Sequence, residues 1–201
     1  MSLREEALEE IRAAISVGDL GEDRIFSAAG LAKTLGMSLS PVREAMMSLV
    51  ADGTVEAVPN RGYRLVPVTT ADLDEILTLR SLLGVPAVRA LCEARDAGTL
   101  ADLRAAADDA VTAAEAGDRK SFFAADRRFH FLVLSRGLGE RAASIGLRLR
   151  DQSRVALDEE KPRQADRVSA AQLHELIDRI AAGQAEAAAA LVDDNLRYFL
   201  R

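Results

Sequence analysis

Leu31-Ala32-Lys33-Thr34-Leu35-Gly36-Met37-Ser38-Leu39-Ser40-Pro41-Val42-Arg43-Glu44-Ala45 decides the fold of the first third of the chain. Ser27 enters a short helix over Ala28–Leu35 that Gly36 ends. Ser40-Pro41 then has the signature of a second helix start, with serine as N-cap and proline at the first helical position. That helix runs through Ala45, Met46, Leu49 and Val50 and stops before Gly53. Upstream, Leu3–Val17 carries Leu8, Ile11 and Ile15 at helical spacing, with Gly18 as its stop. Downstream, Thr54–Val58 and Tyr63–Val68 read as strands joined by the turn-forming cluster Pro59-Asn60-Arg61-Gly62. Three helices followed by a two-stranded hairpin is the order of a winged helix-turn-helix.

In that arrangement the recognition helix enters the major groove N-terminus first, so its first turn must carry the contacts. Ser38, Ser40 and Arg43 lie there, where backbone N–H groups and the helix dipole also favour phosphate. Arg43 has the planar fork that reads a guanine edge, and Leu39 offers an apolar contact to a thymine methyl. Arg61 and Gly62 sit at the hairpin tip, suited to a neighbouring phosphate or the minor groove. Lys33 adds a cation on the preceding helix.

The overall charge points the other way. The chain of 201 residues carries 26 Lys and Arg against 32 Asp and Glu, a net of −6, whereas DNA-binding domains usually show a basic footprint. Residues 1–68 and 69–201 each contribute −3, so the halves do not differ. Between Arg24 and Arg64, however, five basic residues face three acidic ones. A local basic face inside an acidic protein follows.

Hydrophobic residues make up 49% of the chain but aromatic ones only 4%, with no Trp. Ala, Leu and Val must therefore fill the core, a mix that favours helices. The single cysteine, Cys92, excludes an intrachain disulfide framework and a multi-cysteine zinc module. No apolar run approaches the roughly 18–20 residues of a membrane span, and Met1–Glu10 is acidic, unlike a signal peptide. The expectation is a soluble, cytoplasmic protein.

After Thr69-Thr70-Ala71-Asp72, a capped start, everything reads as helix. Six helices are expected at about 71–95, 99–116, 118–136, 139–157, 168–182 and 184–200. Their breaks are Gly98, Gly117, Gly137/Gly139, the charged loop Asp158–Asp166 and Gly183. The fold class is mainly α: a winged domain over 1–68 and an all-α antiparallel bundle over 69–201. Both histidines lie in the bundle. His130 follows Asp126 by four residues, so the two share a helix face. That spacing can hold zinc, manganese or nickel, with His174 and Asn195 on other helices as further ligands.

The quoted segment, with Asp52-Gly53, Pro59-Asn60-Arg61-Gly62-Tyr63 and the lead-in Ile15–Leu20, resembles the GntR family of bacterial transcription regulators. The resemblance covers residues 3 to 68, with the anchor blocks in order. It departs at Leu39, where the family commonly has an arginine, and at Ala29, where a basic residue is often found. Asp126-Arg127-Arg128-Phe129-His130 and Leu173-His174-Glu175-Leu176-Ile177 resemble the metal-binding positions of the FCD effector domain of the FadR-type subfamily. Six helices match its shorter, VanR-like branch.

That resemblance implies a divalent metal on Asp126, His130 and His174, with Asn195 in place of a third histidine, and a small carboxylate effector. Arg80 matches an arginine that pairs with the effector carboxylate, and Gly84 replaces a common glutamate. Arg148 or Arg154 could line the same pocket. A homodimer is implied, since paired recognition helices must match a short palindrome. Two alternatives stay open: a metal-dependent hydrolase built on Asp126, His130 and His174, and a regulator with a metal-free organic-ligand pocket. The hydrolase lacks a general base at a recognisable spacing, and no His-Glu-x-x-His motif is present.

Overall fold

The structure is a computed structural model that describes residues 2–21, 24–155 and 163–198. Among them, three helices, α1 (Leu3–Ser16), α2 (Ala28–Leu35) and α3 (Leu39–Ala51), precede a hairpin of β1 (Val55–Val58) and β2 (Gly62–Leu65). Six more helices follow: α4 (Thr70–Ala94), α5 (Ala97–Ala116), α6 (Arg119–Leu138), α7 (Glu140–Val155), α8 (Arg163–Ala181) and α9 (Ala185–Leu196). The strands are antiparallel, with Val55 opposite Leu65 and Val58 opposite Gly62. A winged helix-turn-helix and an all-α bundle are thus both present. None of the described helices is long and apolar enough to cross a membrane.

Local chemistry explains where the helices begin. Ser2 and Glu5 form a capping box on α1, and Thr69 and Asp72 form another on α4. Ser27 caps α2 by accepting from the Gly30 amide, and Gly36 closes that helix in the left-handed conformation. Helix α3 departs from expectation, because its N-cap is Ser38 rather than Ser40. Pro41 therefore occupies the third helical position, where an amide would still have no intrahelical partner, so the missing N–H costs nothing. Both strands are shorter than the apolar pattern suggests. Beyond Val66, whose amide still donates to the Thr54 carbonyl at 3.1 Å, the chain leaves the hairpin for the linker to α4.

Two further boundaries differ. Gly137 does not end α6 but lies inside it, against α4: a Cβ there would sit 2.5 Å from the Ala87 carbonyl oxygen. The two backbones touch, and only glycine allows it. Of the expected loop Asp158–Asp166, residues 158–162 lie outside the described residues, and the remainder belongs to α8. Asp166 is in the first turn of that helix, where the dipole favours a carboxylate, and it pairs with Arg119 of α6 at 3.0 Å.

Helix α6 runs through the middle of the bundle and touches α4, α5, α7 and α8. Phe122, Phe129, Leu103, Leu173 and Ile177 are fully buried around it. Helix α5 meets the core with Ala106, Ala107, Ala110, Ala113 and Ala114, which lets its neighbours approach closely. The winged domain has its own core of Ile11, Val42, Met46, Leu49 and Leu65, to which Val155 of α7 contributes. The two domains meet where α1 packs on α6 and α7.

Candidate functional site

The N-terminal end of α3 is exposed at Ser38, Leu39 and Ser40 and, one turn on, at Arg43 and Glu44, while Pro41 and Val42 face the core. The Ser38 hydroxyl makes no capping hydrogen bond, leaving it available to a phosphate together with the first amides of the helix. Ser40 is turned along the helix and donates to Glu44 Oε1 at 3.3 Å. Arg43, Lys33 on α2 and Arg61 at the wing tip are exposed. Gly62 contributes shape rather than contact. At φ 133° its missing Cβ leaves room for the Phe26 carbonyl oxygen, which a Cβ would approach to 2.3 Å. Phe26 and Tyr63 exchange two backbone hydrogen bonds there, at 2.8 and 2.9 Å, pinning the wing to the body.

The second feature is a charged cluster deep in the bundle. Asp126 on α6 is fully buried. Its Oδ2 accepts from Arg150 Nη2 at 2.6 Å, from Arg150 Nε at 3.1 Å and from Arg154 Nη2 at 3.3 Å. Arg150 Nη2 also donates to the Phe123 carbonyl at 2.9 Å, and Arg154 donates to the Tyr198 hydroxyl at 2.8 Å while lying over the Phe123 ring. Burial alone would raise the Asp126 pKa, but Arg150, His130 and Arg154 outweigh it and hold the carboxyl well below its ordinary range. His130 Nε2 is 3.5 Å from Asp126 Oδ1. Burial lowers the His130 pKa despite that carboxylate, so its imidazole is neutral at pH 7.

Arg80 completes the cluster from α4. It is 5% exposed, and among the described residues its hydrogen-bond partner is the Ser153 hydroxyl, at 3.2 Å. Burial, with the cations of Arg154 and Arg150 nearby, pushes its pKa down to about 9. A guanidinium keeps its proton at neutral pH, so Arg80 is a buried cation with two others close by. Arg80, His130 and Arg150 form the polar end of a partly enclosed cavity of about 20 Å³. Val133, Leu134, Val192 and Leu196 line the rest, with Gly84 in the wall. A much larger hollow between α5 and α6 is open to solvent, and its Arg128 and Asp109 already pair at 3.1 Å.

The donors at this cluster do not fit a divalent metal. Asp126 and His130 are brought together as expected, but His174 is not. It lies half-buried on the α5-facing side of α8, 3.2 Å from Asp108, so its expected role as a third ligand is corrected. Its helical phase decides this, because Leu173, Leu176 and Ile177 take the inward positions. Asn195 is buried but donates to Ser169 and Gln172, while its Oδ1 has no hydrogen-bond partner among the described residues. Among the described residues no three His, Cys, Asp or Glu side chains converge, and three buried guanidinium groups would repel a dication. The hydrolase alternative loses its constellation on the same geometry.

Arg150 is the site residue that the sequence reading missed. Ala143, Gly146, Leu147, Arg150 and Arg154 share the buried stripe of α7, so two arginines in apolar phase were the available signal. Arg154 is in the cluster, whereas Arg148 is exposed.

Both halves of the chain match known families. The FCD domain pattern matches residues 75–198, and the pattern of bacterial regulatory proteins of the gntR family matches residues 3–65. The chain belongs to the GntR family and carries an FCD domain. An HTH-type transcriptional regulator of the TAR-I ttuE-ttuC' intergenic region of Agrobacterium vitis is 40% identical over 103 residues, 50% of this chain and 60% of that protein. The Escherichia coli HTH-type transcriptional regulator McbR is 29% identical over 136 residues, 68% of this chain and 62% of McbR. The matched segments thus span about six-tenths of these relatives.

Solved structures share the whole fold of this GntR-family chain. E. coli McbR/YncC superposes with a TM-score of 0.81 at 24% identity, covering 98% of this chain and 94% of that one. A GntR regulator of Rhodococcus sp. RHA1 gives 0.74 at 24% identity, covering 98% and 95%. The families and relatives are transcription regulators and not enzymes.

Proposed function

We propose that this protein is a cytoplasmic, homodimeric repressor that binds a short palindromic operator, and that a small carboxylate metabolite in the bundle sets its operator affinity. The winged domain, with Ser38, Arg43, Lys33 and Arg61 each exposed, supports the DNA half. The effector half rests on one observation: Arg80 is buried beside a cavity with a hydroxyl, and no carboxylate, as its partner among the described residues. A carboxylate would accept the fork of Arg80 and share Arg150, with the aliphatic wall enclosing its carbon chain. No metal is needed between effector and protein, since arginines already supply the positive charge.

Thermal unfolding with a panel of organic acids tests this, before and after dialysis against a chelator. At about 100 times its dissociation constant an effector stabilises by about 2.7 kcal/mol, which raises the melting temperature of a chain this size by about 5–10 °C. Chelation should leave both the melting temperature and the acid's effect unchanged. A drop on chelation that zinc, nickel or manganese reverses would restore the metal-bound reading.

A further inference from the structure

Three consecutive residues of α7 reach three different places. Arg150 turns to the cavity, where it grips Asp126. Asp151 turns to α1, where its Oδ2 is 2.9 Å from Arg12 Nε. Gln152 turns to the end of the recognition helix and donates to the Asp52 carbonyl at 2.9 Å, packing on Gly53 beside it. Arg12 closes the circuit, because its Nη2 lies 3.4 Å from the Asp52 carboxylate. A continuous chain of charges therefore joins the bundle interior to the residue that ends α3. Arg12 and Asp151 are both largely shielded from water, so salt screens this chain far less than a surface pair.

Arg150 also has a divided allegiance. Its Nη1 is 3.6 Å from Asp151 Oδ1, and Arg127 Nε is 3.2 Å from the same oxygen. Asp151 is thus shared among three arginines, and the one on α7 itself borders the cavity.

We propose that Arg150-Asp151-Gln152 is the transmission element of this regulator. An anion that draws Arg150 into the cavity removes a competitor for Asp151, which then holds Arg12 more firmly and fixes α1 and the end of α3 against the bundle. The trigger rests on the carboxylate-cavity reading, but the linkage can be tested without a ligand. Such a linkage is a coupling free energy between sites, and contact alone does not establish it.

The experiment is amide hydrogen exchange on the full chain, reading α1 and residues 48–53 relative to α5, which stands outside the network. Arg150→Lys keeps a cation for Asp126 but cannot fork to Asp151. It should slow exchange in α1 by about threefold or more, and the effect should vanish in an Asp151→Asn background. Asp126→Asn, which releases Arg150 towards Asp151, should shift α1 in the opposite direction, again only when Asp151 is present. Equal responses with and without Asp151, or no response to Arg150→Lys, overturn the proposal. Succinate is the ligand probe. If it raises the melting temperature, it should slow α1 exchange in the wild type and not in Asp151→Asn. Failure of every carboxylate to stabilise the protein would sink the effector reading alone, with the variant series still deciding the linkage.

Discussion

Replacing Asp126 with alanine is expected to cost about 3–5 kcal/mol of folding stability, as breaking a buried ion pair does elsewhere. Total stabilities run about 5–15 kcal/mol, so the variant should lie near the edge of folding at 37 °C. The reason is specific to this cluster. Asp126 is the carboxylate that both Arg150 and Arg154 contact through a single oxygen, in a place shielded from bulk solvent. Removing it leaves the guanidinium groups of Arg80, Arg150 and Arg154 facing one another in a low-dielectric interior. Neutralising both partners should be far milder: Asp126→Leu with Arg150→Met should recover more than half of the loss. Urea denaturation of the three proteins measures this. A loss below about 1 kcal/mol for the single variant would mean that the cluster behaves as a hydrated surface pair.

On the DNA side, Arg43→Ala should weaken operator binding by about tenfold to a hundredfold, the range of a lost bidentate base contact. Adding Arg61→Ala should carry the loss beyond about a hundredfold, since the wing then loses its cation as well. Arg43 carries unusual weight here because Leu39, one turn before it on the same helix, cannot bond a guanine or a phosphate. The two variants should differ in kind. Arg61→Ala should lower affinity for all sequences alike and flatten the salt dependence, while Arg43→Ala should relax base preference at one operator position. Fluorescence anisotropy with operator and scrambled duplexes at several salt concentrations separates them. Equal losses on both duplexes for Arg43→Ala would move that residue from base reading to phosphate contact.

The winged domain was legible because its signals are local. Ser27, Gly36, Gly53 and the cluster Pro59–Gly62 fix where elements begin and end through backbone chemistry within a few residues. The exception, Ser38 at the N-cap in place of Ser40, is a shift of two residues between serines that no side-chain capping bond decides. In the bundle the signals are long-range. Gly137 reads as a helix break on its own, and only the approach of Ala87 from α4 shows why a glycine is wanted in mid-helix. His174 and His130 look equivalent in sequence, yet one residue of helical phase sends the first towards Asp108 and the second into the core. Arg150 was hidden for the opposite reason. An arginine in apolar phase reads as a surface residue until a buried carboxylate from another helix is placed against it.

The size of the cavity beside Arg80 carries a consequence for kinetics. About 20 Å³ is room for roughly one water molecule, so an acid of the kind proposed would need the surrounding helices to part. Its entry would then be timed by that parting and not by encounter. With rising effector concentration the observed association rate should level off at the opening rate rather than climb in proportion. If the proposed effector binds there, its signal would be averaged over the breathing time of the bundle, with briefer fluctuations filtered out.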